Sequence, residues 1–329
     1  MSELSFKLRE LISSYWKTQL LYVVAKLGIA DLIEKKPVHF SKLAAQTKTQ
    51  PPLLYRLLRA LASLEIFAEE EEGCFKHTPL SKLLRSNQPG SLKSLAVLYG
   101  EEFYEIWEDL LHTIKTGEPA FHHRFGGNIF TYFAKHPNQA TIFNQAMRGI
   151  SQEQIKAVLD VYDFSKLKLI VDVGGGMGHF LEAILEKSPK TNGILFDMPH
   201  VVREAQKKSG LDKKRCRFVA GDFFKEAPSG GDAYLLKYIL HDWDDEHAGL
   251  ILKNCRKAMS PKAKLIVIEQ LLPPANKPHY SKLTDIHMMV LSGGIERSKR
   301  DFAKLFGSAG FEIKRIVPTS YLLNIIEAQ

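Results

Sequence analysis

The stretch LIVDVGGGMGHF, residues 169–180, places an acidic residue and four glycines directly behind a run of aliphatic and β-branched residues. Such a run predicts a buried strand, and the glycines would let the following turn approach a ligand closely. Glycines after a strand can equally serve helix-to-strand packing, so the loop alone is a weak signal. The stretch predicts the first strand of an α/β domain, with a candidate ligand loop behind it.

Further aliphatic runs follow, separated by helical segments, which predicts a doubly wound, mostly parallel sheet. These runs are GILFDMP, CRFVAGDFF, DAYLLKYILHD and AKLIVIEQLLP. The carboxyl-terminal segment differs, because a helix ending at Gly310 precedes two strands joined by Pro-Thr-Ser, a link short enough to make them antiparallel neighbours. Residues 165–329 are therefore predicted to form an α/β domain whose parallel sheet ends in an antiparallel hairpin.

Residues 1–100 are predicted to form a mostly helical unit, unlike the α/β domain of residues 165–329. Ser41 is placed to cap a short helix, and leucines and alanines from Leu53 to Leu64 have helical spacing. A hairpin follows, with Glu69 to Glu72 as its loop. Two helices and a hairpin outline a winged helix, but four glutamates are a poor surface to place against phosphates. We therefore predict a winged-helix-like domain that serves dimerisation.

The composition is that of an ordinary globular protein with room for two domains, with 329 residues, 45% hydrophobic and 25% charged. Residues 101–164 are predicted to be a helical linker that contributes to a substrate pocket.

Charges interrupt the apolar positions of the amino terminus, so we expect no signal peptide, no membrane span and a cytoplasmic protein. The net charge of +8 is spread along the chain, which disfavours a nucleic-acid partner. The three cysteines are too few and too scattered for a disulfide framework or a paired zinc site.

Polar residues stand at the carboxyl ends of the predicted strands, where ligands of open α/β sheets lie. Asp197 is suited to bind both hydroxyls of a ribose. Asp222 offers an acceptor for an exocyclic amine, and Phe223 offers an aromatic face to adenine. A dinucleotide fingerprint would need a small residue at the position of His179. The pattern predicts an adenosine with a non-phosphate tail, held over the bare backbone of residues 174–178.

Motifs along nearly the whole chain resemble one family, the metal-independent O-methyltransferases that use S-adenosylmethionine and include the caffeic acid and acetylserotonin O-methyltransferases and bacterial small-molecule enzymes. In family order, the motifs are LLRALASLEIF, FNQAMRGIS, VDVGGGMGHF, FDMPHVV, GDFF, LLKYILHDWDDE, VIEQLLP and GGIERS. The resemblance implies a Rossmann-like class I methyltransferase domain, a homodimer, and methylation of a hydroxyl on an aromatic phenol, catechol or polyketide-like molecule in secondary metabolism. It also implies S-adenosylhomocysteine as the product and no metal.

The resemblance assigns roles to individual residues. His241 falls where the family keeps its catalytic base, and Glu269 and Glu296 fall where it keeps the flanking carboxylates. The implied cofactor contacts are Gly174, Gly176, Asp197, Asp222, Phe223 and Lys237, with Ser151 and Trp243 as further candidates. The implied apolar slot for an aromatic ring is lined by Phe143, Met147, Ile150 and His287, with Tyr99 and Trp107 as further wall candidates.

A histidine suits this chemistry, because an imidazole with a pKa of about 6.5 takes a proton from a phenol with a pKa of about 10 only as the oxygen attacks. The carboxylates would favour its charged form. His287 stands where an apolar residue is more usual, and is either a contact to a polar substituent or an ordinary half-exposed histidine. No cluster has a spacing that predicts a metal site.

Two other classes stay open. The first is a winged-helix DNA-binding regulator whose sheet domain senses a ligand, and the acidic hairpin counts against it. The second is a nicotinamide oxidoreductase, which His179 and the crowded edge at Asp222 disfavour.

Overall fold

The computed structural model describes residues 2–329. Its helices, in chain order, are α1 Glu3–Ile12, α2 Tyr15–Leu27, α3 Ile29–Leu32, α4 Phe40–Thr47, α5 Pro51–Ala62, α6 Pro79–Lys82, α7 Lys93–Gly100, α8 Glu102–Glu108, α9 Leu110–Thr116, α10 Ala120–Phe125, α11 Ile129–Lys135, α12 Pro137–Val161, α13 His179–Lys187, α14 Pro199–Lys208, α15 Asp245–Ala258, α16 Ser281–Leu291 and α17 Lys299–Ser308. The strands are β1 Val38–His39, β2 Phe67–Glu71, β3 Cys74–His77, β4 Leu169–Val173, β5 Asn192–Asp197, β6 Cys216–Ala220, β7 Ala233–Lys237, β8 Lys264–Gln270, β9 Ile313–Pro318 and β10 Leu323–Ala328, and a 3₁₀ turn, Leu240–Asp242, follows β7.

Backbone packing divides the chain into two compact units that interleave along the sequence. The first runs from the amino terminus to Glu108 and includes Phe130–Gln152, and the second contains Asp109–Ile129 and Glu153–Gln329. The consecutive division into 1–100, 101–164 and 165–329 stays a prediction. Within residues 2–329, no helix combines the length and the apolar character needed to cross a membrane.

The first unit is built around α5. Its Leu54, Leu58 and Leu61 are buried, and their spacing of four and three residues puts them on one face of the helix. Prolines begin this helix, at positions where the backbone N–H that proline lacks would have no partner within the helix. The leucines pack with Phe67 and Phe75 of a small sheet whose strand order is β1, β3, β2. The helices and hairpin of the predicted winged-helix-like domain are therefore present.

Two details predicted for this unit are wrong. The N-cap of α4 is His39, whose Nδ1 accepts from the Ser41 N–H at 3.3 Å, so Ser41 lies inside the helix. The reason is that His39 is held extended by pairing with Cys74 in the sheet. Glu69 to Glu71 belong to β2, so the turn of the hairpin is confined to Glu72 and Gly73.

The second unit contains a seven-stranded sheet in the order β6, β5, β4, β7, β8, β10, β9. The first five strands of that order are mutually parallel, whereas β10 is antiparallel to both β8 and β9. The predicted fold class, a parallel sheet ending in an antiparallel hairpin, is confirmed. Because parallel strands end at the same edge, the segments after β4 to β8 share one rim of the sheet.

Both faces of the central strand β4 are buried. Val171 and Val173 belong to the hydrophobic core on one face, and Ile170 belongs to the core on the other. Burying each such side chain contributes roughly 1.5–3 kcal/mol to stability. Because both faces are buried, the sequence of β4 lacks the alternation of apolar and polar residues that a half-exposed strand shows. Asp172 is the exception in this strand, since it is only 2% exposed yet ionisable.

Candidate active site

Glycines shape the loop between β4 and α13. The φ angle is 70° at Gly174, 57° at Gly176 and 80° at Gly178, a region that residues with side chains rarely adopt. A Cβ on Gly174 would lie 2.5 Å from Cδ1 of Ile239, whereas a Cβ on Gly176 would meet no atom of residues 2–329 within 4 Å. Gly176 therefore presents bare backbone to open space at the ligand edge of the sheet.

Asp197, at the end of β5, holds this loop through its carboxylate. Oδ2 accepts a hydrogen bond from the Gly176 N–H at 2.8 Å, and Oδ1 accepts one from the Met198 N–H at 2.6 Å. Burial raises the pKa of Asp197, and the two hydrogen bonds act in the opposite direction. A carboxylate has about four lone-pair sites, so acceptor capacity remains for a ligand's hydroxyls.

Asp172 and Lys237 are two further ionisable groups, and they lie on the neighbouring strands β4 and β7. Burial, followed by the charge of Asp197, raises the pKa of Asp172 to about 7. Burial lowers the pKa of Lys237 to about 8, against the attraction of Asp172. Oδ2 of Asp172 is buried without a hydrogen-bond partner among residues 2–329, although buried acceptors are nearly always paired. This edge of the sheet is therefore polar and charged beneath the glycine loop.

Aromatic rings follow β6 and the 3₁₀ turn. Phe224 packs edge-to-face on Phe223 at 4.8 Å and on Trp243 at 4.7 Å. Oδ1 of Asp222 accepts the Phe224 N–H at 2.9 Å, which fixes the start of this segment. Cε1 of Phe223 lies 3.5 Å from the position of a Cβ on Gly174. The Phe223 ring thus stands beside the glycine loop.

His241 lies on the 3₁₀ turn after β7 and is 8% exposed. Its Nδ1 is 2.8 Å from Oε1 of Glu296, and its Nε2 is 3.6 Å from Oδ1 of Asp242. Because Glu296 is the acceptor, we place a hydrogen on Nδ1, which leaves the lone pair of the neutral ring on Nε2. Burial acts to lower the pKa of His241, but the charge of Asp242, with the hydrogen bond and charge of Glu296, raises it to about 9. The ring is therefore a strong proton acceptor in a fixed orientation.

Glu269 supports the backbone of this turn. Its Oε1 accepts hydrogen bonds at 2.7–3.2 Å from the N–H groups of Ile239, Leu240 and His241. Burial raises the pKa of Glu269 to about 7, while the charge of His241 opposes the shift. Glu269 and Glu296 were both predicted to flank the imidazole. Glu296 contacts the ring, whereas the hydrogen bonds of Glu269 go to the backbone that carries the ring.

The GGIERS segment packs directly on the His241 turn. Arg297 is 1% exposed and donates to the carbonyl groups of Leu240 at 2.8 Å and Trp243 at 2.9 Å. A Cβ on Gly294 would lie 2.0 Å from the His241 carbonyl oxygen, so only glycine fits there. Buried guanidinium groups need several acceptors to offset their desolvation. Here those acceptors are the backbone that positions His241 and the carboxylate of Asp245, whose Oδ1 is 2.8 Å from Nε of Arg297.

Reasoning from the sequence missed Asp242, Tyr238 and Arg297. Asp242 has no assigned role within the LLKYILHDWDDE motif, yet its carboxylate faces His241, and burial raises its pKa to about 6. The Tyr238 ring lies 4.8 Å from the His241 ring. For Arg297 a signal was available, since it adjoins Glu296 in a motif. For Tyr238 the sequence holds no signal beyond its place before His241.

The predicted substrate residues are divided between the two units. His287 lies on α16 of the second unit, where burial and then the charge of His241 lower its pKa to about 4, so it is neutral near pH 7. The remaining predicted substrate contacts lie on α12 within the first unit, and so does the cofactor candidate Ser151. These substrate residues are Phe143, Met147 and Ile150. Of the further wall candidates in that unit, Tyr99 packs on Phe103, and Trp107 is exposed on α8.

Known proteins are similar to this chain in sequence and in fold. The model of the O-methyltransferase domain matches residues 107–312, and that of the O-methyltransferase dimerisation domain matches residues 9–87. The chain is 46% identical to the phenazine O-methyltransferase PhzM of Lysobacter antibioticus, over 99% of this chain and 96% of that protein. The solved structure of LaPhzM covers 100% of this chain, and this chain covers 99% of it, with 46% identity and a TM-score of 0.94. The human N-acetylserotonin methyltransferase, solved in complex with S-adenosylmethionine, gives 26% identity and a TM-score of 0.93, with coverage of 100% and 98%.

The fold, the glycine loop and the domain matches define a class I methyltransferase with an amino-terminal dimerisation domain. The chain belongs to the O-methyltransferase family, and it is an enzyme that uses S-adenosylmethionine. Neither the DNA-binding regulator nor the nicotinamide oxidoreductase is favoured by these matches.

The residues at the sheet edge fit S-adenosylmethionine. Gly176 leaves open space beside Asp197, and Asp172 offers a buried carboxylate oxygen without a partner among residues 2–329. An acidic edge also suits the positive charge of a sulfonium. When bound, the cofactor supplies a methyl group on a positively charged sulfur.

Proposed function

We propose that this enzyme methylates a hydroxyl group on a phenazine-type tricyclic heteroaromatic molecule, with His241 as the general base. The observation that carries the proposal is the buried His241 ring, whose Nδ1 is engaged by Glu296 at 2.8 Å. For the acceptor, support comes from the 46% identity to a protein named phenazine O-methyltransferase, over nearly the whole chain. Phe143, Met147 and Ile150 would offer apolar contacts to a flat ring, and neutral His287 would contact a polar substituent.

In this mechanism, Nε2 of His241 takes the proton as the acceptor's O–H bond breaks and its new O–CH₃ bond forms. S-adenosylmethionine bound at the sheet edge would supply the methyl group, and the products would be the methyl ether and S-adenosylhomocysteine. Glu296 holds the ring and stabilises the imidazolium, and Glu269 and Arg297 hold the backbone of the turn. The chain's main tasks are thus alignment and proton removal.

On the cofactor side, Asp197 would bind the ribose hydroxyls. Asp222 and Phe223 would bind adenine, and Trp243 would extend that aromatic wall. The loop at Gly174 and Gly176 would hold the amino-acid moiety. Lys237 and Ser151 would supply further polar contacts. These roles rest on position at the sheet edge and on the family motifs.

The direct test is transfer of label from S-adenosylmethionine to a monohydroxyphenazine, with product analysis by mass spectrometry and NMR. A hydroxybenzoate tests whether a single ring suffices, and unsubstituted phenazine is the control that lacks the hydroxyl. We expect a methyl ether of the hydroxyphenazine and no product from phenazine. Methylation of a ring nitrogen, or transfer only to the single-ring acceptor, would contradict the proposal.

The pH dependence of kcat/KM should reflect the raised pKa of His241. Only the neutral ring accepts a proton, so activity should rise with pH towards about 9, where the proton leaves. Glu296→Gln removes a charge and a hydrogen bond that raise this pKa. We expect the rising limb to move to lower pH by roughly 1 to 3 units, with a lower maximum.

The matched control for this prediction is Glu312→Gln, a change of the same kind at an exposed site. Its profile should coincide with that of the unmodified enzyme. A rising limb at the same pH in the Glu296→Gln variant would mean that another group, such as the acceptor's own hydroxyl, sets the profile.

We further propose that the chain forms a homodimer through its amino-terminal helices. On α1, five large apolar side chains are more than half exposed, namely Leu4, Phe6, Leu8, Leu11 and Ile12. The same is true of Tyr15 and Trp16 at the start of α2. An exposed apolar surface of this kind marks an interaction site, and the dimerisation-domain match spans residues 9–87.

Removal of residues 1–30 should therefore yield an aggregating or monomeric and inactive protein, measured by light scattering and methyl transfer. This deletion also removes Val24 and Ile29 from the core of the first unit. A milder variant, Leu8→Glu with Ile12→Glu, should weaken the dimer without disturbing that core, and Leu250→Glu on α15 is its control. A soluble, fully active monomer after truncation would refute the dimer.

A further inference from the structure

Two histidines and a glutamate meet in the hairpin formed by the short helices α9 and α10. His112 lies on α9, Glu118 lies in the link after Gly117, and His123 lies on α10. One donor atom from each lies within 4.8 Å of the other two. The sequence spacing predicted no metal site, because the three residues come together only when the hairpin folds.

The distances suit a metal ion. Nε2 of His112 is 2.9 Å and Nδ1 of His123 is 3.8 Å from Oε2 of Glu118. The two imidazole rings are stacked with their centroids 3.7 Å apart. Tetrahedral zinc with ligand distances of about 2.0–2.1 Å holds its ligand atoms roughly 3.3 Å from one another. Rotation of the His112 and His123 side chains, which separates the stacked rings, would bring the three donors onto one ion.

The donor set also has the right chemistry. Two imidazole nitrogens and one carboxylate oxygen form a three-residue zinc set that leaves a fourth position for water. His122 lies 2.5 Å from the second oxygen of Glu118, and such outer contacts orient metal ligands.

The hairpin is positioned independently of any ion. Asp109, before α9, and Arg124, on α10, form an ion pair with Nε and Oδ2 2.7 Å apart. The side chains of His112, Glu118 and His123 are 27%, 38% and 45% exposed, so an ion can reach them from solvent.

We propose that His112, Glu118 and His123 form a zinc-binding site that links α9 to α10. None of these residues belongs to the cluster around His241, so the site serves the stability of the hairpin. Methyl transfer would not pass through it.

The test uses full-length, tag-free protein stripped with a chelator and then titrated with zinc chloride in a calorimeter. We expect one zinc per chain and a rise in Tm on binding. His112→Ala and His123→Ala should each weaken binding by roughly 100-fold or more, since even outer-contact losses cost 10- to 100-fold. Glu118→Gln keeps the shape of the side chain but loses its charge, and should also weaken binding.

The matched control is His247→Ala, which removes a histidine whose Nδ1 lies 2.8 Å from the carboxylate of Asp244. Its zinc affinity should equal that of the unmodified chain. Cobalt replacing zinc should give visible absorption that His112→Ala abolishes. Absence of zinc binding by the unmodified chain, or unchanged binding in the His112, His123 and Glu118 variants, would overturn the proposal.

Discussion

We expect His241→Ala to keep its affinity for S-adenosylmethionine while its turnover falls roughly 10²- to 10⁴-fold, the usual loss on removing a positioned proton acceptor. Affinity should persist, because most of the proposed cofactor contacts follow β4, β5 and β6 and the His241 side chain is not among them. Calorimetry with S-adenosylmethionine and the rate of label transfer to a neutral hydroxyaromatic measure the two quantities separately.

Glu269→Gln is the informative companion variant. Glutamine keeps an oxygen for the three backbone N–H groups that Glu269 now binds, so the turn should stay in place. It loses only a charge that favours the imidazolium, and a smaller loss of turnover should result. If His241→Ala retained full turnover on a neutral phenol, His241 would not be the base. If it lost cofactor binding and turnover together, the histidine would be structural.

Asp197→Ala should abolish detectable cofactor binding. Charge-assisted hydrogen bonds contribute roughly 1.5–3 kcal/mol each, so losing two ribose contacts would weaken binding roughly 10²- to 10⁴-fold. The loop would also loosen, because Asp197 accepts the Gly176 N–H at 2.8 Å. Calorimetry measures the affinity, and a thermal melt shows whether the fold survives.

Asp197→Asn separates these two effects. Asparagine has one carbonyl oxygen, so it can still accept a loop N–H, but it carries no charge for the hydroxyls. We expect an affinity between those of the alanine variant and the unmodified enzyme. Unchanged affinity in Asp197→Ala would show that the ribose does not bind there.

The sheet and the polar residues at its edge were predictable because both follow from local pattern. Apolar runs such as residues 169–173 predict buried strands, and parallel strands bring their ends together at one edge. Asp197, Asp222 and His241 could therefore be placed at one rim without knowledge of any contact. The antiparallel hairpin was predictable from the short link between its strands.

Other features depend on tertiary contacts that no local pattern carries. Ser41 has a good capping side chain, but the pairing of His39 with β3 moves the helix start to Phe40. The side chain of Glu269 reaches the backbone of the turn because β8 lies beside β7 in the sheet. The cluster at His112 forms only when two helices fold back on each other.

Proton removal by His241 is tested most directly by the ratio of kcat/KM for the unmodified enzyme to that for His241→Ala. This ratio should be measured at one pH across hydroxyaromatic acceptors of increasing acidity. An acceptor with a pKa of about 10 must lose its proton during the reaction, whereas one that is already ionised needs no base. We expect a ratio of roughly 10² or more for the least acidic acceptors and a fall towards one for the ionised acceptors. A ratio that stays constant across the series would contradict a role for His241 in proton transfer.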